Sequence, residues 1–229
     1  MRNLFDKYWQ KWTTACAVGE LLGMGAVALI ALSYNRWAGE PLTAGSKALN
    51  LLVMLFAGAI EGFLLGLWQW RVLRLKFPKM PAKEWIGYTM AVAMLGWFLG
   101  MLPSLLLTLG NAPVPPEPVE PPLVLILAGA MALGLFFGAM FGLFQWFSFH
   151  KYARESIQWV TGNSLGWGLG MMFIFAAAAW PDAASPLFTV ILAGMAGGSL
   201  AGLSVGAITG IYLNRIIAEN EGAGGAQED

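Results

Sequence analysis

The sequence predicts an all-α integral membrane protein, a bundle of about six transmembrane helices, and three observations carry that prediction. Apolar residues make up 58% of the 229 residues and charged residues only 11%, with a mean hydropathy of +0.64, far from the balance of a water-soluble domain. Six apolar stretches each reach the roughly 20 residues that carry a helix across about 30 Å of hydrocarbon. The charges are confined to short segments between those stretches, so a net charge of zero hides a strong local asymmetry.

The first stretch, near 15–34, follows Lys7, Trp9, Lys11 and Trp12 and contains Glu20. Its length and that acid mark it as a retained span rather than a cleaved leader, although Ala31-Leu32-Ser33 resembles a cleavage site. The second, 49–70, ends at Gln69-Trp70 and runs into a basic segment holding Arg71, Arg74, Lys76, Lys79 and Lys83. The third, 85–109, opens at Trp85 and includes Pro103. Six prolines crowd the connection at 111–122, which reads as a stiff extracytoplasmic strap. The fourth, 122–149, ends at Gln145-Trp146, with His150 and Lys151 just beyond. The fifth spans 159–180 and the sixth 187–213. Residues 1–217 thus form one transmembrane domain, and the acidic, glycine-rich stretch 218–229 reads as a disordered cytoplasmic tail.

Orientation follows from the cations. With both termini in the cytoplasm, the inner side receives every lysine and arginine except Arg36 and Lys47, of 13 in all. Trp9, Trp12, Trp68, Trp70, Trp85, Trp146 and Trp159 then fall at the inner interface, Trp37 and Trp180 at the outer one, and only Trp97 and Trp167 lie deep.

Glycine carries an internal pattern. Gly58, Gly62 and Gly66 followed by Gln69-Trp70 match Gly134, Gly138 and Gly142 followed by Gln145-Trp146, spacing for spacing. Trp85, Gly96-Trp97 and Gly100 are echoed by Trp159, Gly166-Trp167 and Gly170, so 49–109 and 122–180 read as copied hairpins. Gly194, Gly198, Gly202, Gly206 and Gly210 continue the four-residue spacing on the sixth helix, and Gly19 and Gly23 on the first. In lipid, helices gain little by hydrophobic association, so a glycine groove admitting a neighbouring backbone serves chiefly for packing.

Few side chains promise chemistry. Glu61 lies near the middle of the second span, where an ionised carboxylate costs about 3 kcal/mol, and Phe137 occupies the matching place in the second hairpin. Glu20 is the other intramembrane acid. If their helices are neighbours, the two acids can share a proton, and the pair reads either as a site for a proton, ion or ligand or as two interhelical fasteners, each protonated or hydrogen-bonded. Trp97 and Trp167 are candidates to stack on a flat apolar ligand, the alternative being that they fill the grooves opposite the glycines. Gln69, Trp70, Gln145 and Trp146 read as interfacial anchors, the alternative for the two glutamines being amide hydrogen bonds between the related hairpins, and the 71–83 loop as an attractor of anionic lipids. Asn163, Ser164, Ser104 and Thr108 are polar enough to fasten helices or to line a narrow path, and His150 reads as an interfacial residue.

One cysteine, Cys16, excludes an intrachain disulfide, and one histidine excludes sites built from several imidazoles. No metal motif, phosphate loop or catalytic series appears, no cofactor is implied, and nothing suggests nucleic-acid binding. The run Gly-x-x-x-Gly-x-x-Gln-Trp, then Trp and Gly-Trp in the returning helix, resembles a group of uncharacterised bacterial polytopic membrane proteins with such hairpins, over 58–100 and 134–170. That resemblance implies the bacterial cytoplasmic (inner) membrane and this fold, and no activity. The expected function is a non-enzymatic subunit or scaffold of a membrane assembly, with protein partners or copies of itself, or a binder of an apolar ligand. The alternatives are a small proton- or ion-coupled transporter using Glu61 and Glu20, and an enzyme acting on lipids.

Overall fold

The computed structural model describes residues 6–109, 121–181 and 185–225. Its regular elements there are six helices: α1 Lys7–Ala38, α2 Ala44–Leu73, α3 Ala82–Leu109, α4 Leu123–Phe149, α5 Gln158–Ala178 and α6 Leu187–Gly225, all long and apolar enough to cross a membrane. Apart from Pro121 and Pro122, the expected strap at 111–122 lies outside the described residues.

Local chemistry sets the boundaries. Asp6 starts α1 by accepting hydrogen bonds from the backbone N–H groups of Tyr8 and Trp9, each at 2.9 Å, satisfying two of the donors that a helix start leaves unpaired. Gly39 ends it at φ 73°, a conformation that favours glycine, and returns its N–H to the Asn35 carbonyl. Thr43 and Ser46 form a reciprocal capping box on α2. Pro122 and Pro186 stand immediately before α4 and α6, where a missing N–H costs little.

One boundary departs from expectation. Residues 218–225 continue α6 rather than form a disordered tail, because polar contacts hold that end against the neighbouring loops. Gln158 donates to Glu219 at 3.0 Å, Asn220 accepts from the Arg154 N–H at 2.9 Å, and Lys76 pairs with Glu221 at 2.9 Å. At 39 residues α6 is about 58 Å long, well beyond the roughly 30 Å of hydrocarbon.

The helices close into a ring. Each backbone packs on its sequence neighbours, and α1 packs on α6 to complete the circle. The α3–α4 contact is by far the thinnest. In the α2–α3, α4–α5 and α6–α1 pairs the glycine contacts correspond. A Cβ at Gly66 would meet Ile86 and Thr89, one at Gly142 would meet Val160 and Asn163, and one at Gly206 would meet Thr13 and Cys16. Those partners stand one and four residues after Trp85, Trp159 and Trp12, respectively.

Side chains of α2, α4 and α6 fill the middle of the ring in layers four residues apart. Leu73, Phe149 and Leu213 plug the end that carries both termini. Gln69, Gln145 and Thr209 form the next layer, and Leu65, Phe141 and Val205 the one after it. Glu61, Phe137 and Ala201 follow, and there the filling becomes incomplete.

Candidate functional site

The polar layer is built first. Trp85 Nε1 donates to Gln69 Oε1 at 3.2 Å, and Gln145 Nε2 donates to the same oxygen at 3.1 Å and to Thr89 Oγ1 at 3.0 Å. Trp159 Nε1 donates to Gln145 Oε1 at 3.0 Å, and Trp12 Nε1 to Thr209 Oγ1 at 2.8 Å. The rings crowd together, Trp12 and Trp159 edge-to-face with centroids 5.6 Å apart and Trp85 5.9 Å from Trp159. This corrects the anchoring expectation: Gln69 and Gln145 are only 1% exposed and join the hairpins to each other. Trp12, Trp85 and Trp159 are fully buried, because their indole N–H groups find partners inside the ring instead of at the headgroups. Trp70 and Trp146 stay at the periphery, Trp70 donating to the Met80 carbonyl and Trp146 stacking on the exposed His150.

Beyond the Leu65–Phe141–Val205 layer lies a cavity of about 270 Å³. All helices but α6 contribute: Met24, Glu61, Val92, Ala93, Gly96, Trp97, Gly100, Leu133, Phe137, Phe141, Trp167, Met171, Ile174 and Phe175. Trp167 lies nearly parallel to Phe141, centroids 4.8 Å apart, which fixes one aromatic wall. Three of the four residues proposed for ligand or proton binding, Glu61, Trp97 and Trp167, therefore meet in one place.

Two glycines make room for Glu61. Gly23 on α1 packs against its side chain, so that a Cβ there would sit 3.0 Å from Glu61 Cγ. Gly58, one turn along α2, lies directly beneath the Trp97 indole, which lets Trp97 reach across and donate from Nε1 to Glu61 Oε2 at 2.7 Å. Glu61 Oε1 makes no hydrogen bond with any described residue, and the carboxyl forms part of the cavity wall. Glu20, the fourth proposed residue, is fully buried behind this wall. Neither of its carboxyl oxygens has a hydrogen-bond partner among the described residues, and it lies close enough to Glu61 for the two charges to interact. The buried charged residues are these two acids; no lysine, arginine or histidine among the described residues is buried with them.

The cavity has a side opening. Helices α3 and α4 touch through Thr89–Gln145, Glu84–Ser148, Glu84–Lys151 and Tyr88–Phe144, all toward the end with the termini. Farther along, a Cβ at Gly96 would reach only Phe137, at 3.9 Å, and one at Gly100 or Gly129 would meet nothing within 4 Å. Gly100 and Leu133 both line the cavity and are both exposed. The gap between the far halves of α3 and α4 thus faces the lipid side of the ring.

Ser164 fastens α5 to α4 through the Leu135 carbonyl, whereas Asn163 bonds back to the Trp159 carbonyl of its own helix; Ser104 is exposed and Thr108 bonds back to its carbonyl. Among the described residues no three His, Cys, Asp or Glu side chains gather to hold a metal.

Six such helices around a partly filled interior define a multi-pass helical membrane protein. The chain matches no known protein family, no curated protein and no solved structure.

Proposed function

We propose that the protein binds an apolar ligand in the cavity inside its ring, taking it sideways from the membrane between α3 and α4. The observation that carries this reading is the convergence of Glu61, Trp97 and Trp167 on one largely apolar space beside a gap in the ring. A carboxyl that no described residue fully satisfies costs stability, and functional sites are where such costs are tolerated. At about 270 Å³ the space suits one compact group or the end of a longer molecule, below the roughly 300–1,000 Å³ of pockets that enclose whole drug-sized ligands.

The ring itself we read as three copies of one hairpin: α2–α3, α4–α5, and α6 with α1. The matched glycine contacts support this reading, as does the Gln69, Gln145 and Thr209 layer with its three tryptophans. Both termini lie on the cytoplasmic side by the cation rule, since Lys7, Lys11, Arg71, Arg74, Lys76, Lys79, Lys83, Lys151, Arg154 and Arg215 all fall at that end. Anionic lipids meet it there, at the 71–83 loop and in a groove of about 490 Å³ between α1 and α2 where Lys7 and Lys11 face Arg71, itself 5.1 Å over Trp68.

Native mass spectrometry of the chain released from nanodiscs tests the proposal. The expected spectrum carries one small apolar adduct per chain, lost in Gly96→Leu, which fills the cavity from a position with free space around it. Retained anionic lipid falls instead in Lys11→Glu with Arg71→Glu. A bare chain from every preparation counts against ligand binding. The placement of Glu20 beside Glu61 favours one second reading, coupling of transport to a proton or ion. That reading fails if Glu61→Gln leaves uptake unchanged in active proteoliposomes.

A further inference from the structure

The cavity's chemistry narrows the ligand class, on the premise that the cavity binds an apolar molecule at all. We infer that the preferred ligand is a lipophilic cation, an apolar body bearing an ammonium or quaternary ammonium group, with the positive charge seated between Glu61 and the aromatic wall.

Charge supplies the first step. The interior holds two carboxyls and no buried base among the described residues, so the charge that the described residues leave uncompensated there is negative. A neutral apolar ligand would gain nothing from either acid. An anion would meet the Glu61 carboxyl, with Glu20 behind it, and among the lining side chains only two indole donors, the Trp97 N–H, which Glu61 already occupies, and the Trp167 N–H.

The walls supply the second. Trp167 stacks parallel to Phe141, with Phe137 beside them, so that aromatic faces and the Glu61 carboxyl border the same space. The faces of Trp and Phe carry negative quadrupole potential and attract cations by about 2 kcal/mol or more where water is excluded. The thioethers of Met24 and Met171 add polarisable surface without any competing donor.

Geometry supplies the third. Glu61 Oε2 is held by Trp97 at 2.7 Å, while Oε1 makes no hydrogen bond with any described residue. One oxygen is therefore positioned and the other is left to the ligand. Access from the bilayer between Gly100 and Leu133 suits a molecule that first partitions into lipid.

The test compares benzyltrimethylammonium with neopentylbenzene, which has the same shape with carbon in place of the charged nitrogen. Binding of each is measured by equilibrium dialysis to the full chain in nanodiscs of zwitterionic lipid, against nanodiscs without protein. The cation should bind saturably at one per chain and more tightly than the isostere. Glu61→Gln, which keeps an acceptor for the Trp97 N–H, should weaken cation binding by roughly tenfold or more and leave the isostere unchanged. The comparison of the two probes on the unaltered chain stands whether or not that variant folds. Equal binding of both probes, or tighter binding of the isostere, overturns the cation inference while leaving the apolar-ligand reading intact. Saturable binding of neither probe overturns both.

Discussion

Polar side chains below the headgroups meet one problem, and this chain answers it in two ways. Gln69 and Gln145 are closed into a network in which each indole donor has an acceptor, so their burial is compensated within the protein. Glu61 and Glu20 are not closed in this way, and the asymmetry separates a structural layer from a site. Replacing Gln145 by Leu keeps the volume roughly constant but strips Trp159 of its acceptor and cuts the link between α2 and α4. The expected cost is about 1–3 kcal/mol, the penalty of a buried orphan donor. It should appear as a lower melting temperature in detergent, with ligand binding per folded chain unchanged; an unaltered melting temperature would remove the network from the stability of the ring. The sequence exposes Glu61 readily, because a charge inside an apolar run is conspicuous. It leaves the glutamines between two readings, because a Gln-Trp pair ahead of a basic loop has the composition of an interfacial anchor, and only packing against three other helices decides for hydrogen bonds between the hairpins.

Glycine acts at the scale of the helix pair. A Cβ at Gly62 would fall 2.6 Å from Met90 Cα, one at Gly142 2.6 Å from Val160 Cα, and one at Gly202 2.7 Å from Ala17 Cα, all backbone atoms that cannot step aside singly. Alanine at any of the three should force the pair apart and destabilise the chain by about 1–3 kcal/mol, the usual range for overpacking. Gly87 is the control: nothing lies within 4 Å of its Cβ direction, so Gly87→Ala should be neutral or gain up to about 1 kcal/mol from helix propensity. Reversible unfolding in mixed micelles measures all four; equal effects at Gly62 and Gly87 would refute the packing role. The glycine spacing on α2 and α4 is plain in the sequence, and so is its extension to α6. What the sequence conceals is that α6 packs on α1, since no hairpin joins the two ends of the chain. The signal was there in Gly198, Gly202, Gly206 and Thr209, which repeat the spacing of Gly58, Gly62, Gly66 and Gln69 with a shorter polar residue in the last place.

For the whole molecule the decisive feature is where the ring is weakest. The other five contacts run along long stretches of helix, whereas α3 and α4 are held at one end by a layer of hydrogen bonds, an aromatic contact and the Glu84–Lys151 pair at 3.0 Å. An exposed ion pair of that kind adds little to stability, so the join depends chiefly on the buried Gln145–Thr89 bond and on packing around Phe149. The cavity opens on the side away from that join, and on the proposed route a ligand leaving the bilayer passes Gly100. Gly100→Trp introduces a large side chain where the nearest atoms lie beyond 4 Å, so it should obstruct passage without straining the fold. Melting temperature should hold within a degree or two, in line with a surface change of about 0.5 kcal/mol or less. The rates of ligand association and dissociation should both fall by about tenfold or more, with the equilibrium affinity little altered, because an obstruction at the door raises the barrier in both directions. Stopped-flow quenching of tryptophan fluorescence by a brominated apolar ligand, with the Gly100→Phe variant read alongside to exclude signal from the new indole, distinguishes this from a change in the site. Unchanged rates would mean that ligands reach Glu61 by another path, and a loss of affinity at constant association rate would mean that Gly100 belongs to the binding surface itself.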